Sequence, residues 1–175
     1  MPTTPIDTQH GLTSLADSVA RAFAGTVLPH IVGIHTGGCW VAHYLADALD
    51  ISAHQVGQLD VGFHRDDFAR RGMRKAPLPT LMPNDISNQQ VLLVDDVLHT
   101  GRTVRAAINA LFDYGRPSRI WLAVLADRGD RQLPYHADFV GLSVQAELDQ
   151  QLRLTGPAPL KLVLQARDSS KKAKP

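Results

Sequence analysis

Residues 91–103, Val-Leu-Leu-Val-Asp-Asp-Val-Leu-His-Thr-Gly-Arg-Thr, leave few folds open to this chain. The branched apolar run Val91–Val94 predicts a buried strand. Two carboxylates, Asp95 and Asp96, follow where that strand is expected to end. A short loop then runs from His99 to Thr103 with two hydroxyls, a glycine and an arginine, and Thr103 leads into a helical pattern. A helix start offers unpaired backbone N–H groups and the positive end of a dipole, which suit a phosphate. Gly101 allows close backbone approach, and Thr100 and Thr103 can donate from their hydroxyls. The two carboxylates can accept hydrogen bonds from a vicinal diol, a feature that phosphate binding alone does not require. Strand, acids, loop and helix together describe a site for a sugar phosphate. The loop is not of the Walker type, because no Gly-Lys-Ser/Thr follows, and no Gly-x-Gly-x-x-Gly occurs in the chain.

A chain of 175 residues suits one domain with a proper core, expected over residues 1–165. A net charge of +1 excludes the strong field of a nucleic-acid or membrane binder built on bulk charge. A single cysteine, Cys39, rules out an internal disulfide framework and fits a reducing cytoplasm. The first residues carry no charged stretch followed by a long apolar run, so no signal peptide is expected, and no segment has the roughly 20 apolar residues of a membrane span. The eight histidines lack the spacing of a protein-built metal site.

Hydrophobic periodicity predicts helices over 12–25, 40–49 and 102–114, the last closed by Gly115 and Pro117. Strands are expected at 31–34, 56–63, 91–95 and 120–126, with further candidates at 137–140 and 160–164. Residues 64–87 read as a long loop of the kind that serves as a functional lid, and the Lys- and Ser-rich tail 166–175 as disordered. Strands alternating with helices argue for an open, largely parallel α/β sheet, whose ligands sit at the carboxyl ends of the strands.

Three strand-end loops carry candidate chemistry. His35-Thr36-Gly37-Gly38 opens a helix and suits an anion such as pyrophosphate; a tight glycine turn is the alternative. Asp60 to Asp67 contains Arg65, whose guanidinium matches phosphate oxygens. Asp66 and Asp67 in turn can cap a helix or face solvent, and Arg70, Arg71, Arg74 and Lys75 form either an anion-capturing lid or a solvated loop. Asp127-Arg128-Gly129, followed by Arg131, is placed to wall a base pocket, unless Arg128 is simply the ion partner of Asp127. Cys39 stands at a helix start, which can lower a thiol pKa; it reads as packing all the same.

The 91–103 segment resembles the phosphoribosyl-pyrophosphate (PRPP) signature of type I phosphoribosyltransferases. The runs Val-Gly-Phe-His-Arg-Asp-Asp-Phe, Val-Asp-Asp-Val-Leu-His-Thr-Gly-Arg-Thr-Val-Arg-Ala-Ala, Asp-Tyr-Gly-Arg-Pro and Leu-Ala-Val-Leu-Ala-Asp-Arg-Gly-Asp-Arg-Gln-Leu-Pro narrow this further. From about residue 31 to 141 the chain is similar to the PyrR family of pyrimidine-operon regulators and uracil phosphoribosyltransferases.

That resemblance implies a type I phosphoribosyltransferase fold, an open twisted sheet flanked by helices with a small hood. It implies the conversion of uracil and PRPP to UMP and pyrophosphate with Mg²⁺. Arg65, Asp95 and Asp96 would carry catalysis. PRPP would be held by Thr36, Gly37, Gly38, Asp95, Asp96, Val97, Leu98, His99, Thr100, Gly101, Arg102, Thr103 and Arg128. The metal would meet Asp95 and Asp96 mostly through PRPP and water. It also implies a homodimer or dimer of dimers and, as a partner in regulating relatives, an RNA hairpin of the pyrimidine operon leader. The first loop departs from the family's Lys-Thr-Arg-Gly, and the first helix, with only Arg21 basic, lacks the cation density of an RNA face. A UMP- or PRPP-sensing regulator with weak or no catalysis is one alternative; a transferase for another base is the second, and a purine enzyme would need a stacking aromatic residue.

Overall fold

The computed structural model describes residues 6–62, 78–147 and 149–166. Along them run helix α1 (Thr8–Ala22), strand β1 (His30–Ile34), helix α2 (Gly37–Ala48), strands β2 (Gly57–Leu59) and β3 (Gln90–Leu98), and helix α3 (Arg102–Leu111). Strands β4 (Arg119–Asp127), β5 (Phe139–Ser143), β6 (Gln150–Thr155) and β7 (Lys161–Ala166) follow. The first five strands form one sheet in the order β2-β1-β3-β4-β5, every neighbouring pair parallel. Strands β6 and β7 pair antiparallel as a separate hairpin, the small extra layer expected as a hood.

Both faces of the sheet are covered, which is why its strands read as unbroken apolar runs. On one face Ile31, Leu92, Val94, Ala123 and Leu125 pack with Leu12, Leu15 and Val19 of α1 and Val41 and Leu45 of α2; Leu152, Leu154 and Leu162 of the hairpin complete that layer. On the other face Val32, Leu93, Leu122 and Val124 pack with Val104, Ala107 and Leu111 of α3. The hairpin is tied to the start of α1 by a buried hydrogen bond, Leu162 N–H donating to Thr8 Oγ1 at 2.8 Å.

Several boundaries differ from expectation, for local reasons. Helix α1 begins at Thr8 rather than 12, because Asp7 Oδ1 accepts from His10 N at 2.9 Å and caps it. Helix α3 ends at Leu111 rather than 114; the N–H groups of Asp113 and Tyr114 reach back three residues to Ala110 and Leu111, tightening the last turn. The strand expected over 56–63 is only Gly57–Leu59 within the described residues. At Asp60 the backbone N–H turns to Thr80 Oγ1, so the ladder stops. Val61 is buried without being in a strand, so the alternation there reported burial and not extension. Strand β6 was not anticipated, although Leu152 and Leu154 alternate with exposed polar residues as a half-buried strand does. Strand β3 runs to Leu98, placing both acids inside the strand.

Candidate active site

The chain leaves β1 outward to β2 and returns on the other side of β1 as β3. This reversal, between β1 and β3, is the place where an open α/β sheet parts into a crevice at its carboxyl edge. The register shows it: the last β1–β3 partners are Gly33 and Val94. Strand β3 continues beside β4 alone, to Leu98 opposite Asp127. Asp95 is therefore the first residue past the shared ladder, which is why acids within a strand still meet the crevice. Asp95 is buried, 5% exposed, and its Oδ1 accepts from the N–H of Asp96 at 2.9 Å. Asp96 is half-buried, and its carboxylate accepts no hydrogen bond among the described residues.

The first loop lies against these acids. A Cβ on Gly37 would overlap Asp96 Oδ2 and stand 2.5 Å from its Cγ; one on Gly38 would overlap Val94 O and stand 3.0 Å from Asp95 Cα. Both glycines are thus set by the close approach of α2 to β3. His35 joins three neighbours: its N–H donates to Leu59 O at 3.0 Å, Nε2 lies 3.3 Å from Pro79 O, and Nδ1 lies 3.5 Å from Cys39 Sγ. Cys39 is 4% exposed, and burial followed by the Asp95 charge pushes its thiol up to about 12. The helix start does not activate it, and its burial agrees with the packing role expected from sequence.

The second loop builds a left-handed turn. Gly101 has φ 88° and caps α3, a conformation glycine adopts without strain. A side chain there would meet Tyr135 Cδ2 at 3.2 Å and Leu133 O at 3.3 Å. Thr100 Oγ1 accepts from Arg102 N at 3.3 Å. Arg102 is exposed, and its Nε donates to Gln132 Oε1 at 2.8 Å, so the described geometry turns this guanidinium toward the neighbouring loop. The Leu98 side chain lies in the core on the α3 face, leaving only its backbone at the crevice edge.

The third loop, 127–135, was read as a base wall with Arg128 and Asp127 as possible ion partners. The structure pairs them otherwise. Asp127 Oδ2 meets Arg131 Nη2 at 2.6 Å, and its Oδ1 accepts from Gly129 N at 2.8 Å. Burial pushes the Asp127 carboxyl up, but the Arg131 and Gly129 hydrogen bonds and the charges of Arg131 and His136 outweigh it and leave it below the usual range. The Arg128 side chain is 2% exposed; its Nη2 donates to Glu147 O at 3.1 Å and stands 4.0 Å from Asp130 Oδ2. Arg131, named from sequence only as a follower of this loop, donates from Nη1 to the carbonyls of His99 at 2.8 Å and Gly129 at 3.0 Å, and from Nε to Tyr135 O at 2.9 Å.

Arg65, Asp66, Asp67 and the basic run 70–75 lie outside the described residues. Asp60 holds the backbone on either side of that segment: Oδ1 accepts from Gly62 N at 3.0 Å and Oδ2 from Leu78 N at 3.1 Å. The structure thus brings together Gly37, Gly38, Asp95 and Asp96 in one contact set, and residues 98–102 with 127–135 in another. No group of three or more His, Cys, Asp or Glu converges as a metal cage among the described residues. No helix among them is long and apolar enough to cross a membrane.

Residues 9–158 match the family described as the phosphoribosyl transferase domain, which together with the five-stranded parallel sheet defines the chain as a phosphoribosyltransferase. Solved structures agree at the level of the fold. A hypoxanthine-guanine phosphoribosyltransferase of Bacillus anthracis superposes with a TM-score of 0.61 at 19% identity, covering 82% of this chain and 84% of its own. Among curated proteins, the bifunctional protein PyrR of Nitrosococcus oceani is 46% identical over 141 residues, covering 80% of each chain. That of Pseudomonas paraeruginosa is 49% identical over 138 residues, covering 79% of this chain and 81% of its own. That of Ralstonia nicotianae is 44% identical over 156 residues, 88% of each. The chain belongs to the PyrR family.

Proposed function

We propose that the protein transfers the phosphoribosyl group of PRPP to uracil, giving UMP and pyrophosphate, and that it also serves as a pyrimidine-operon regulator. Residues 1–165 act as one domain in this reading. The observation that carries it is the pair Asp95 and Asp96 at the mouth of the β1–β3 crevice, flanked by two loops that each open a helix. The 99–103 loop takes the 5′-phosphate, with Thr100, Gly101, Arg102 and Thr103 as its anchors and Val97 to His99 as its rim. Thr36, Gly37 and Gly38 face pyrophosphate, and Arg65 closes over it. Asp95 and Asp96 hold the ribose 2′ and 3′ hydroxyls and favour the positive charge that develops on the ribose ring as pyrophosphate departs.

The donor set fits Mg²⁺. That ion keeps several waters and binds through one or two carboxylates plus substrate phosphates, not through an all-protein cage. Asp95 and Asp96 supply such a pair, and the Asp96 carboxylate has no hydrogen-bond donor competing for it among the described residues. Bound together with PRPP, the ion would neutralise pyrophosphate charge. The remaining work falls to this chain's residues, which position the sugar and exclude water from its reactive carbon.

Backbone groups near Ala126–Arg128 take the base. Two facts support a pyrimidine over a purine. Phe139 sits in the core, its ring centroid 5.9 Å from that of Phe23 and 6.1 Å from that of Trp121, and the ring of Tyr135 packs against Gly101. Neither is offered to stack on a base. The regulatory half calls for an RNA hairpin of the operon leader as partner, and the family resemblance for a dimer or dimer of dimers. Pyrophosphate release with PRPP, Mg²⁺ and uracil, cytosine, hypoxanthine, guanine or orotate tests the reading. Release with uracil alone, yielding UMP, supports it; release with a purine or orotate, or with no base, overturns it.

A further inference from the structure

Arg131 lies beside the crevice with all three guanidinium nitrogens engaged, and none of them on a group the reaction would touch. Its side chain is 17% exposed, and its charge is matched by Asp127 at 2.6 Å. An arginine so neutralised is poorly suited to be a phosphate ligand. Its other hydrogen bonds all go to main-chain carbonyls: Leu98 at 3.5 Å, His99 at 2.8 Å, Gly129 at 3.0 Å and Tyr135 at 2.9 Å. Two of these belong to the end of β3 and the loop that follows it, and two to the loop that follows β4.

The consequence comes from the geometry of the peptide group. In a trans peptide the carbonyl of one residue and the N–H of the next point in opposite directions. The Leu98 carbonyl accepts from Arg128 N at 2.9 Å as well as from Arg131, and the Thr100 carbonyl accepts from the N–H groups of Gln132 and Leu133, both at 3.0 Å. Three consecutive carbonyls, 98 to 100, are therefore drawn toward the 127–135 loop. The N–H groups of His99, Thr100 and Gly101 are consequently turned to the opposite side. Those of Thr100 and Gly101 have no acceptor among the described residues. A row of backbone N–H groups on one side of a turn is an anion seat, and here it runs directly into the amino end of α3. Arg131 donates to the middle carbonyl, that of His99, at 2.8 Å.

We propose that Arg131 is a positioning residue for the 5′-phosphate seat. By holding the His99 and Leu98 carbonyls against the 127–135 loop it keeps the amides of 99–101 aimed at the phosphate. The inference rests on the phosphate role proposed above for residues 99–103. Arginine is needed because a planar fork of five donors spans carbonyls on two loops and a carboxylate at once; a lysine ammonium, with three donors on one atom, reaches only part of the set.

The test compares a ligand that carries the phosphate with one that lacks it. Dissociation constants for UMP and uridine, together with kcat and KM for PRPP, are measured for the wild type, Arg131→Met and Arg131→Lys. Arg131→Met is expected to weaken UMP by about tenfold or more, the scale of lost charge-assisted hydrogen bonds. Uridine affinity should stay within about twofold, since the nucleoside makes no contact with the seat. KM for PRPP should rise by more than kcat falls, and Arg131→Lys should lie between the two proteins. A wild type that prefers UMP to uridine, alongside a variant that keeps the full preference, overturns the role of Arg131 alone. Equal weakening of UMP and uridine also overturns it, because that is what a merely structural residue gives. A wild type that binds uridine as tightly as UMP overturns the phosphate seat and the Arg131 role with it. If Arg131→Met does not fold, Arg131→Lys decides: an unchanged UMP-to-uridine ratio refutes the proposal, and a reduced one supports it.

Discussion

Gly37 and Gly38 are neighbours in sequence, yet alanine at each should do different things. At Gly38 the new methyl meets main chain, overlapping Val94 O and standing 3.0 Å from Asp95 Cα. Neither atom can rotate away, so α2 must lift from β3. Overpacking of this kind costs about 1–3 kcal/mol, while replacing a helical glycine by alanine returns about 0.5–1 kcal/mol. The net loss is about 0.5–2 kcal/mol, which for a chain of this size lowers Tm by roughly 1–8 °C. At Gly37 the methyl meets the Asp96 side chain instead, its carboxylate and, at 2.9 Å, its Cβ. That side chain is half-buried; its carboxylate can swing away, while its Cβ stays with the backbone. Gly37→Ala should therefore melt above Gly38→Ala, because only part of its clash is with atoms that cannot rotate away. It should nonetheless lose about tenfold in pyrophosphate release with uracil, because the displaced carboxylate no longer meets the ribose. Differential scanning calorimetry on both variants, paired with the activity assay, reads the contrast. A Gly38→Ala protein that melts with the wild type would refute the claim that these glycines exist for the approach of α2 to the acidic strand.

Asp95→Asn and Asp96→Asn should each lower turnover by about tenfold or more, the scale of one charged hydrogen bond lost at the transition state; near-normal turnover in both would remove the ribose role. Asp127 has a folded pKa below its unfolded value near 3.9, so its contribution to stability is present above about pH 4 and is lost as pH falls through the folded value. Urea midpoints taken from pH 5 downward should fall more steeply for the wild type than for Asp127→Asn, and parallel slopes would contradict this. Cys39, buried and with its thiol pushed up to about 12, should react with iodoacetamide at pH 8 only as fast as the protein unfolds. Rapid labelling of the native protein would show that the site is more open than described.

The parts of the site that were legible in the sequence are those fixed by local chemistry. An apolar run, two acids and a Thr-Gly-Arg-Thr loop each state what they need from their surroundings, and β3, the turn at Gly101 and the start of α3 follow from them. Their place in the sheet was not legible: the acids meet the crevice because β1 stops pairing at Val94, a property of a partner strand 61 residues away in the chain from Gly33 to Val94. Arg131 was equally hidden. Its partners are carbonyls, which every residue carries, and two of them lie 32 and 33 residues from it. The glycines 37 and 38 were noticed as amide donors, but their fit against the acidic strand was not, because sequence gives no account of what a missing side chain makes room for. Strand β6 was overlooked although its alternation was present, since its short hairpin stands apart from the βα order that organises the rest.

The most direct test of the account is the crystal structure of the protein with UMP and Mg²⁺. The phosphate should rest on the N–H groups of Thr100 and Gly101, with the ribose hydroxyls at Asp95 and Asp96 and the base beside Ala126–Arg128. A nucleotide whose phosphate sits instead on the 35–38 loop, or whose ribose lies away from both acids, would contradict it.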